Sequence, residues 1–323
     1  MIDKKTIEGA LEAISATAIR TPILALDSDR WRGILPEVAS AHMKLELFQQ
    51  AGSFKARGAW IGIQRLSSDE REAGVCAASG GNHAMAVAWA AQAAGVSSKI
   101  AIPKAADPLR IDACRASGAE VILCDDIRHA FATMEEIVAL EGRVMMHPFE
   151  GEHMSLGSAT CGAEFVEQCP GTEVFIVPIG GGGLISGMAA AIKLMNPGAV
   201  IYGVEPRGAD SMRRSLAAGL PVTLEKIDTI ADSLASPLAM PLSFGLAQYH
   251  IDEVVLVEDD ALLQGMRYFQ DILRIVAEPA CAASLAALIG PLAERVRGKS
   301  VGIIACGSNI SLARYTQLLE KNT

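Results

Sequence analysis

The sequence contains no CxxC pair and no cysteine–histidine spacing suited to zinc, and its seven cysteines are odd in number. A disulfide framework and a structural zinc site are therefore poor readings, and the thiols read as small buried residues of a cytoplasmic protein in a reducing compartment. Positive charge is in deficit, with 28 Lys and Arg against 37 Asp and Glu, a net charge of −9 and a pI near 5.2. That balance argues against a nucleic-acid partner, although backbone amides can still hold an anion locally. A clean apolar run is also lacking. Residues 175–192 carry no charge, but Pro178 and the glycines at 180–183 interrupt them, and in lipid they would leave backbone groups unpaired, so no membrane span is expected. The opening MIDKKTIEGALEAI places charges where a secretory signal would have its apolar core. Neither an internal repeat nor a low-complexity stretch is evident.

What is present is a chain of 323 residues, 50% hydrophobic and 20% charged, enough for one large or two ordinary α/β domains. Helical spacing of Ile7, Leu11, Ile14 and Ala18 predicts a helix over 6–18, closed by Thr21-Pro22 and followed by an edge strand at PILAL. Strands are expected over 74–78, 99–102, 120–124 and 144–146, with helices over 84–94, 108–117 and 130–141 between them. A second series has a helix at 156–168, a strand at 174–179, a helix at 184–195 and a strand at 200–204. Helices at 261–274 and 280–292, a strand at 301–305 and a helix at 311–320 complete it. Between 207 and 243 periodicity is poor, which reads as loop with one or two short helices. The pattern predicts a doubly wound α/β architecture with mostly parallel sheets. A smaller domain, 74–147, would be inserted into a larger one formed by 1–73 and 148–323. Ligands of such sheets bind beyond the carboxyl ends of the strands, where SGGNH (79–83), GGGG (180–183) and CGSN (306–309) all fall.

The stretch KLELFQQAGSFKARGAW (44–60) places Lys55 in the first turn of an expected helix, with Ser53 as a cap-type residue. The helix dipole disfavours a cation there and lowers the cost of the uncharged amine that a Schiff-base lysine needs. Four glycines after an apolar strand, opening a helix, let backbone N–H groups approach an anion; a tight turn alone would use the same residues. A dinucleotide fingerprint fails because Ile185 or Ser186 stands where its third glycine is required. A nucleotide P-loop fails because Met188 follows Gly187 where lysine is required.

In this order, SFKARGA (53–59), SGGNH, GGGG and CGSN resemble the fold-type II pyridoxal-phosphate enzymes of the serine/threonine dehydratase and serine racemase group. The resemblance runs from Lys44 to Asn309 and implies a tryptophan synthase β-like fold, a pyridoxal 5'-phosphate cofactor and a homodimer. It implies that Lys55 forms the Schiff base, with Phe54 near the ring, Asn82 on the ring oxygen, and Gly180, Gly181, Gly182 and Gly183 around the phosphate. Glu278 would lie near the reactive carbon and Cys306 beside the pyridine nitrogen. Ser79, Gly80, Gly81, Asn82 and His83 match the loop that receives the substrate carboxylate, His83 through its backbone. EPRGADS (205–211) resembles a cation loop with Glu205 and the Ala209 carbonyl as ligands for a monovalent or divalent ion. Ser211 stands where the racemases have a second carboxylate, and Ser158 where many dehydratases have glutamine.

A thiol at Cys306 cannot hold the ring nitrogen protonated as a carboxylate would, which favours reactions with a prompt leaving group. The expected activity is dehydration of a β-hydroxy-α-amino acid to a 2-oxo acid and ammonia. The alternatives are an amino-acid racemase of the serine/aspartate type or a non-catalytic metabolite-binding protein. A nicotinamide dehydrogenase lacks its glycine fingerprint here, and no regulatory domain is expected.

Overall fold

The computed structural model describes residues 2–320; Met1 and 321–323, which fall at the ends of the expected larger domain, lie outside the described residues. Among the described residues ten strands form two sheets. The first holds β1 (Ile23–Ala25), β2 (Ser40–Lys44), β7 (Val174–Pro178), β8 (Val200–Pro206), β9 (Glu253–Val257) and β10 (Ser300–Ile304), in the order β1-β2-β10-β7-β8-β9. Only the β1–β2 pair is antiparallel. The second holds β3 (Val75–Ala78), β4 (Ser98–Pro103), β5 (Glu120–Cys124) and β6 (Val144–Met145), ordered β5-β4-β3-β6 and all parallel. Helices cover the faces, so the central strands are buried on both sides: every residue of VFIVP in β7 and of VCAA in β3 is buried. Where Gly302 of β10 pairs with Phe175, an added Cβ would lie 2.8 Å from the Phe165 ring, so glycine makes room for an edge-on Phe165–Phe175 contact at 5.3 Å.

Three helices stack against one another next to the first sheet, and glycine sets their separation. The helix Lys55–Gln64 crosses Glu152–Gln168 so closely that a Cβ on Gly157 would lie 2.3 Å from the Gly58 nitrogen. A Cβ on Gly187, in the helix Gly183–Met195, would lie 2.0 Å from the Ser155 carbonyl oxygen. Below this crossing lies a buried ionic network. Arg57 Nε and Nη2 donate to the two Glu46 oxygens (both 2.8 Å), and Nη1 and Nη2 to Glu164 (2.9 and 2.8 Å). Lys44 Nζ donates to Glu164 and Gln168, each at 2.7 Å. Two cations meet two carboxylates, so the cluster is neutral and its polar atoms are satisfied, which makes its burial tolerable.

Several boundaries differ from the sequence expectations. The first helix is Lys4–Ile14, shifted toward the N-terminus because Asp3 accepts from the Thr6 N–H at 2.8 Å and closes a capping box. The stretch expected as one helix over 261–274 is a helix, Asp259–Tyr268, followed by a wider π turn at Phe269–Leu273 that ends at Arg274 with φ 60°. β9 and the helix Pro241–His250 go beyond what the periodicity indicated. The poorly periodic segment contains the helix Ser211–Ala218. Among the described residues, no helix is long and apolar enough to cross a membrane.

Candidate active site

The carboxyl ends of both sheets face one cavity of about 440 Å³, lined by Lys55, the 79–83 loop, Gly180–Gly183, Glu278 and Cys306 among others. Motifs far apart in sequence meet there through backbone pairing. Ser53 forms an antiparallel bridge with Gly307, and the Phe54 N–H donates to the Cys306 carbonyl at 3.2 Å. This pairing corrects the expected cap. Ser53 is extended, its hydroxyl is buried without a partner, and Phe54 occupies the cap position of the helix that starts at Lys55.

Lys55 Nζ donates to the Pro148 carbonyl and lies 5.0 Å from the Phe54 ring centroid. Among the described residues no carboxylate forms an ion pair with it. Burial lowers its pKa from 10.5 to about 7, with the Cys306 thiol pulling weakly the other way. The Cys306 thiol is itself pushed well up, by its contact with the Cys281 thiol and by burial, and is a neutral donor. His83 is buried with Nε2 on the Met146 carbonyl at 2.7 Å, and burial and Lys55 hold its pKa well down. The imidazole is therefore neutral and tied to the scaffold, while Gly81 N–H donates to Ser79 Oγ at 3.1 Å within the loop.

Gly182 has φ +90°, a conformation that L side chains rarely adopt, and it precedes the helix Gly183–Met195. A Cβ on Gly181 would lie 2.3 Å from the Phe149 ring, so Phe149 closes over the loop. The helix start thus offers N–H groups to the cavity without side chains in the way.

A polar chain crosses from the second sheet's side to the first. Asn309 Nδ2 donates to Asn82 Oδ1 (2.6 Å), and Asn82 Nδ2 donates to Glu278 Oε1 (2.6 Å) and to Ser233 Oγ (3.3 Å). Arg110 Nη1 donates to Asp232 at 2.5 Å and to the Gly80 carbonyl at 3.3 Å, and Nε donates to the Asn309 carbonyl at 2.8 Å. Its Nη2 lies 3.5 Å from Glu278 Oε2. Burial raises Glu278 to about 7, against the lowering effect of Arg110. Glu278 occupies the cap position before Pro279 without capping the helix; its carboxylate turns to Asn82. Sequence reasoning did not reach Arg110, Asp232, Ser233 or Phe149, and it named Asn309 only as the end of the CGSN motif. No local spacing relates Arg110 to Asp232, and only the Asn309 motif carried any signal.

Glu205 and Ala209 lie apart from this cavity. Both Glu205 oxygens accept backbone N–H groups, from Met212 and Arg213 at 2.8 Å each, and burial raises the carboxyl to about 8. Among the described residues there is no group of three or more His, Cys, Asp and Glu positioned for a metal. A larger cavity of about 800 Å³ lies beyond the Arg110–Asp232 pair and holds none of the glycine turns.

The family described as "Pyridoxal-phosphate dependent enzyme" matches residues 14–307. Phenylserine dehydratase of Ralstonia pickettii is 44% identical over 280 residues, covering 87% of this chain and 86% of that protein. L-threonine ammonia-lyase of Thermotoga maritima is 36% identical over 324 residues, covering 99% of this chain and 79% of that protein. The structure of maize serine racemase superposes with a TM-score of 0.91 at 33% identity, over 99% of this chain and 97% of that one.

Proposed function

The chain belongs to the pyridoxal-phosphate dependent enzymes, and from that premise we propose that it is a lyase that dehydrates a β-hydroxy-α-amino acid to a 2-oxo acid and ammonia. The observation that carries the reading is one cavity lined together by a lysine that burial brings to a pKa of about 7, a glycine-opened helix N-terminus and a glycine at position 80. The donor set suits the cofactor: an amine for its aldehyde, backbone N–H groups of Gly180–Gly183 for its phosphate, and a neutral thiol at Cys306. When bound, pyridoxal phosphate supplies an aldehyde that takes up amines and a ring that withdraws electrons from the α-carbon.

Lys55 Nζ is then the attachment point and, once the substrate amine displaces it, the base that takes the α-proton. Ser79 and the N–H groups of residues 80–83 hold the carboxylate, and Phe54 walls the ring. Asn82, held by Asn309 and Glu278, would give up its longer bond to Ser233 (3.3 Å) to donate to the ring oxygen. Cys306, a neutral thiol, would not hold a pyridine nitrogen protonated as a carboxylate would, which favours loss of the β-hydroxyl as water over return of a proton to the α-carbon. Racemisation needs a second proton carrier on the opposite face. Gly80 offers no side chain for it, which favours elimination. The two relatives named above share a β-hydroxyl on the amino acid in their names, and the reading takes only that feature from them.

The same proposal divides the chain into 1–73 with 148–323 and 74–147, with the cavity between them. It takes the protein as a cytoplasmic homodimer acting on a small molecule, with a monovalent or divalent cation at Glu205 and the Ala209 carbonyl. With Ser211 in place of a second carboxylate and both Glu205 oxygens accepting backbone N–H groups, such a cation would be held weakly. Borohydride reduction of the holoenzyme should fix the cofactor on Lys55; label on another lysine refutes the assignment. A panel of L-hydroxy-amino acids should release keto acid faster than D-isomer forms by chiral chromatography, and equal rates would favour a racemase. A Cβ on Gly80 would meet only ordinary contacts at 3.6 Å, so Gly80→Ser fits and should raise the racemised share.

A further inference from the structure

The polar groups of the 440 Å³ cavity are assigned above, but one wall is not. The helix Ile127–Glu141 starts at the cavity, its Asp126 cap accepting from the His129 N–H at 2.8 Å. Ile127 and Phe131 are four residues apart and share one helix face, and both line the cavity. Ile127 is 44% exposed and, with Phe131, gives the cavity an apolar wall. The Phe131 ring lies 6.1 Å from His147, which meets Phe149 edge-on at 4.8 Å. Burial and Lys55 lower His147 to about 4, so this aromatic cluster is uncharged.

The cavity lining also lacks a cation for a second carboxylate. Among the described residues its only positive side chains are Lys55 and Arg110, and Arg110 is committed to Asp232, Gly80 and Asn309. A methyl or hydrogen on the β-carbon would leave the Ile127–Phe131 face wet. A carboxylate there would be desolvated without a partner.

We propose that the substrate carries an aryl or comparably broad apolar group on its β-carbon, and that Ile127 and Phe131 select it, with Phe149 completing the wall. The selection is a binding preference; its expression as turnover rests on the lyase reading. The test uses the holoenzyme with threo-3-phenylserine, threonine and threo-3-hydroxyaspartate, reading kcat/KM for keto-acid release and equilibrium binding from cofactor absorbance. The wild type should favour the aryl compound over threonine by about 10- to 100-fold. Phe131→Ala, and separately Ile127→Ala, should remove most of that preference, with the loss concentrated on the aryl compound. Phe131→Leu keeps apolar volume and should retain part of it, which separates lost contact from lost folding. Equal or better handling of threonine or hydroxyaspartate by the wild type overturns the proposal, as does a Phe131→Ala loss of equal proportion on all three. If none releases keto acid while the aryl binding preference and its loss in Phe131→Ala persist, the lyase reading falls and the selection stands.

Discussion

A buried lysine that loses its proton near neutrality should capture an aldehyde at a rate that stops rising near neutral pH. Burial lowers the Lys55 pKa from 10.5 to about 7, so its reactive, uncharged form is dominant above pH 7 and lost below it. At about pH 7, roughly half of Lys55 is uncharged, against ~3 in 10,000 for an ordinary lysine, an advantage of ~10³. The assay is stopped-flow absorbance of apoenzyme mixed with pyridoxal phosphate, from about pH 6.5 upward so that the phosphate stays largely in one charge state. The rate should rise with pH up to about 7 and then level. A rate that keeps climbing to about pH 10 would refute the desolvated amine. The same reasoning fixes the sign for a charge placed beside it. Cys306→Asp puts a carboxylate where the thiol now pulls the Lys55 pKa only weakly upward. An opposite charge at close range raises such a pKa by ~1–3 units, so capture at pH 7 should slow ~5- to 500-fold and recover at high pH. Cys306→Ser, which adds no charge, should keep the wild-type profile and much of the elimination activity. A near-total loss with cofactor still bound would mean that the thiol has a further role.

Two further perturbations separate the site from its scaffold. Chelator treatment should leave most activity intact, because both Glu205 oxygens already accept backbone N–H groups; complete loss, restored by magnesium or calcium but not by potassium, would show a strong divalent site. Glu164→Gln removes one carboxylate from between Arg57 and Lys44 and should destabilise the fold by about 3–5 kcal/mol, read as a lower denaturation midpoint. An unchanged midpoint would mean that water reaches the network.

Much of the cavity lining was legible because its signals are local. A strand followed by glycines and then a helix is written in consecutive residues, and each of the three glycine turns falls at a strand's carboxyl end in the structure. The parallel strands were legible for the same reason, since burial on both faces leaves short, continuous apolar runs. Edges were less clear. β9 lies at the border of its sheet, next to a helix whose apolar spacing is weak. The Ser53 cap failed because pairing with Gly307 is a long-range bond that outweighs local capping preference.

The sequence by itself determined where the chain must turn tightly, which helix begins with a lysine, and that position 80 carries no proton donor. These follow from covalent structure and the φ range open to glycine. Tertiary structure decided the electrostatics. Lys55 is only a misplaced surface cation until Pro148, Phe54 and Cys306 close around it and remove its water. Arg110 is an ordinary helix residue until folding brings Asp232 to it and cancels its charge. The side-chain wall was likewise undecided in one dimension: Ile127 falls outside the helix expected over 130–141, and only the folded helix Ile127–Glu141 puts it with Phe131 on the cavity. Desolvation and charge pairing depend on distance in space, and a chain of this length brings together groups more than a hundred residues apart.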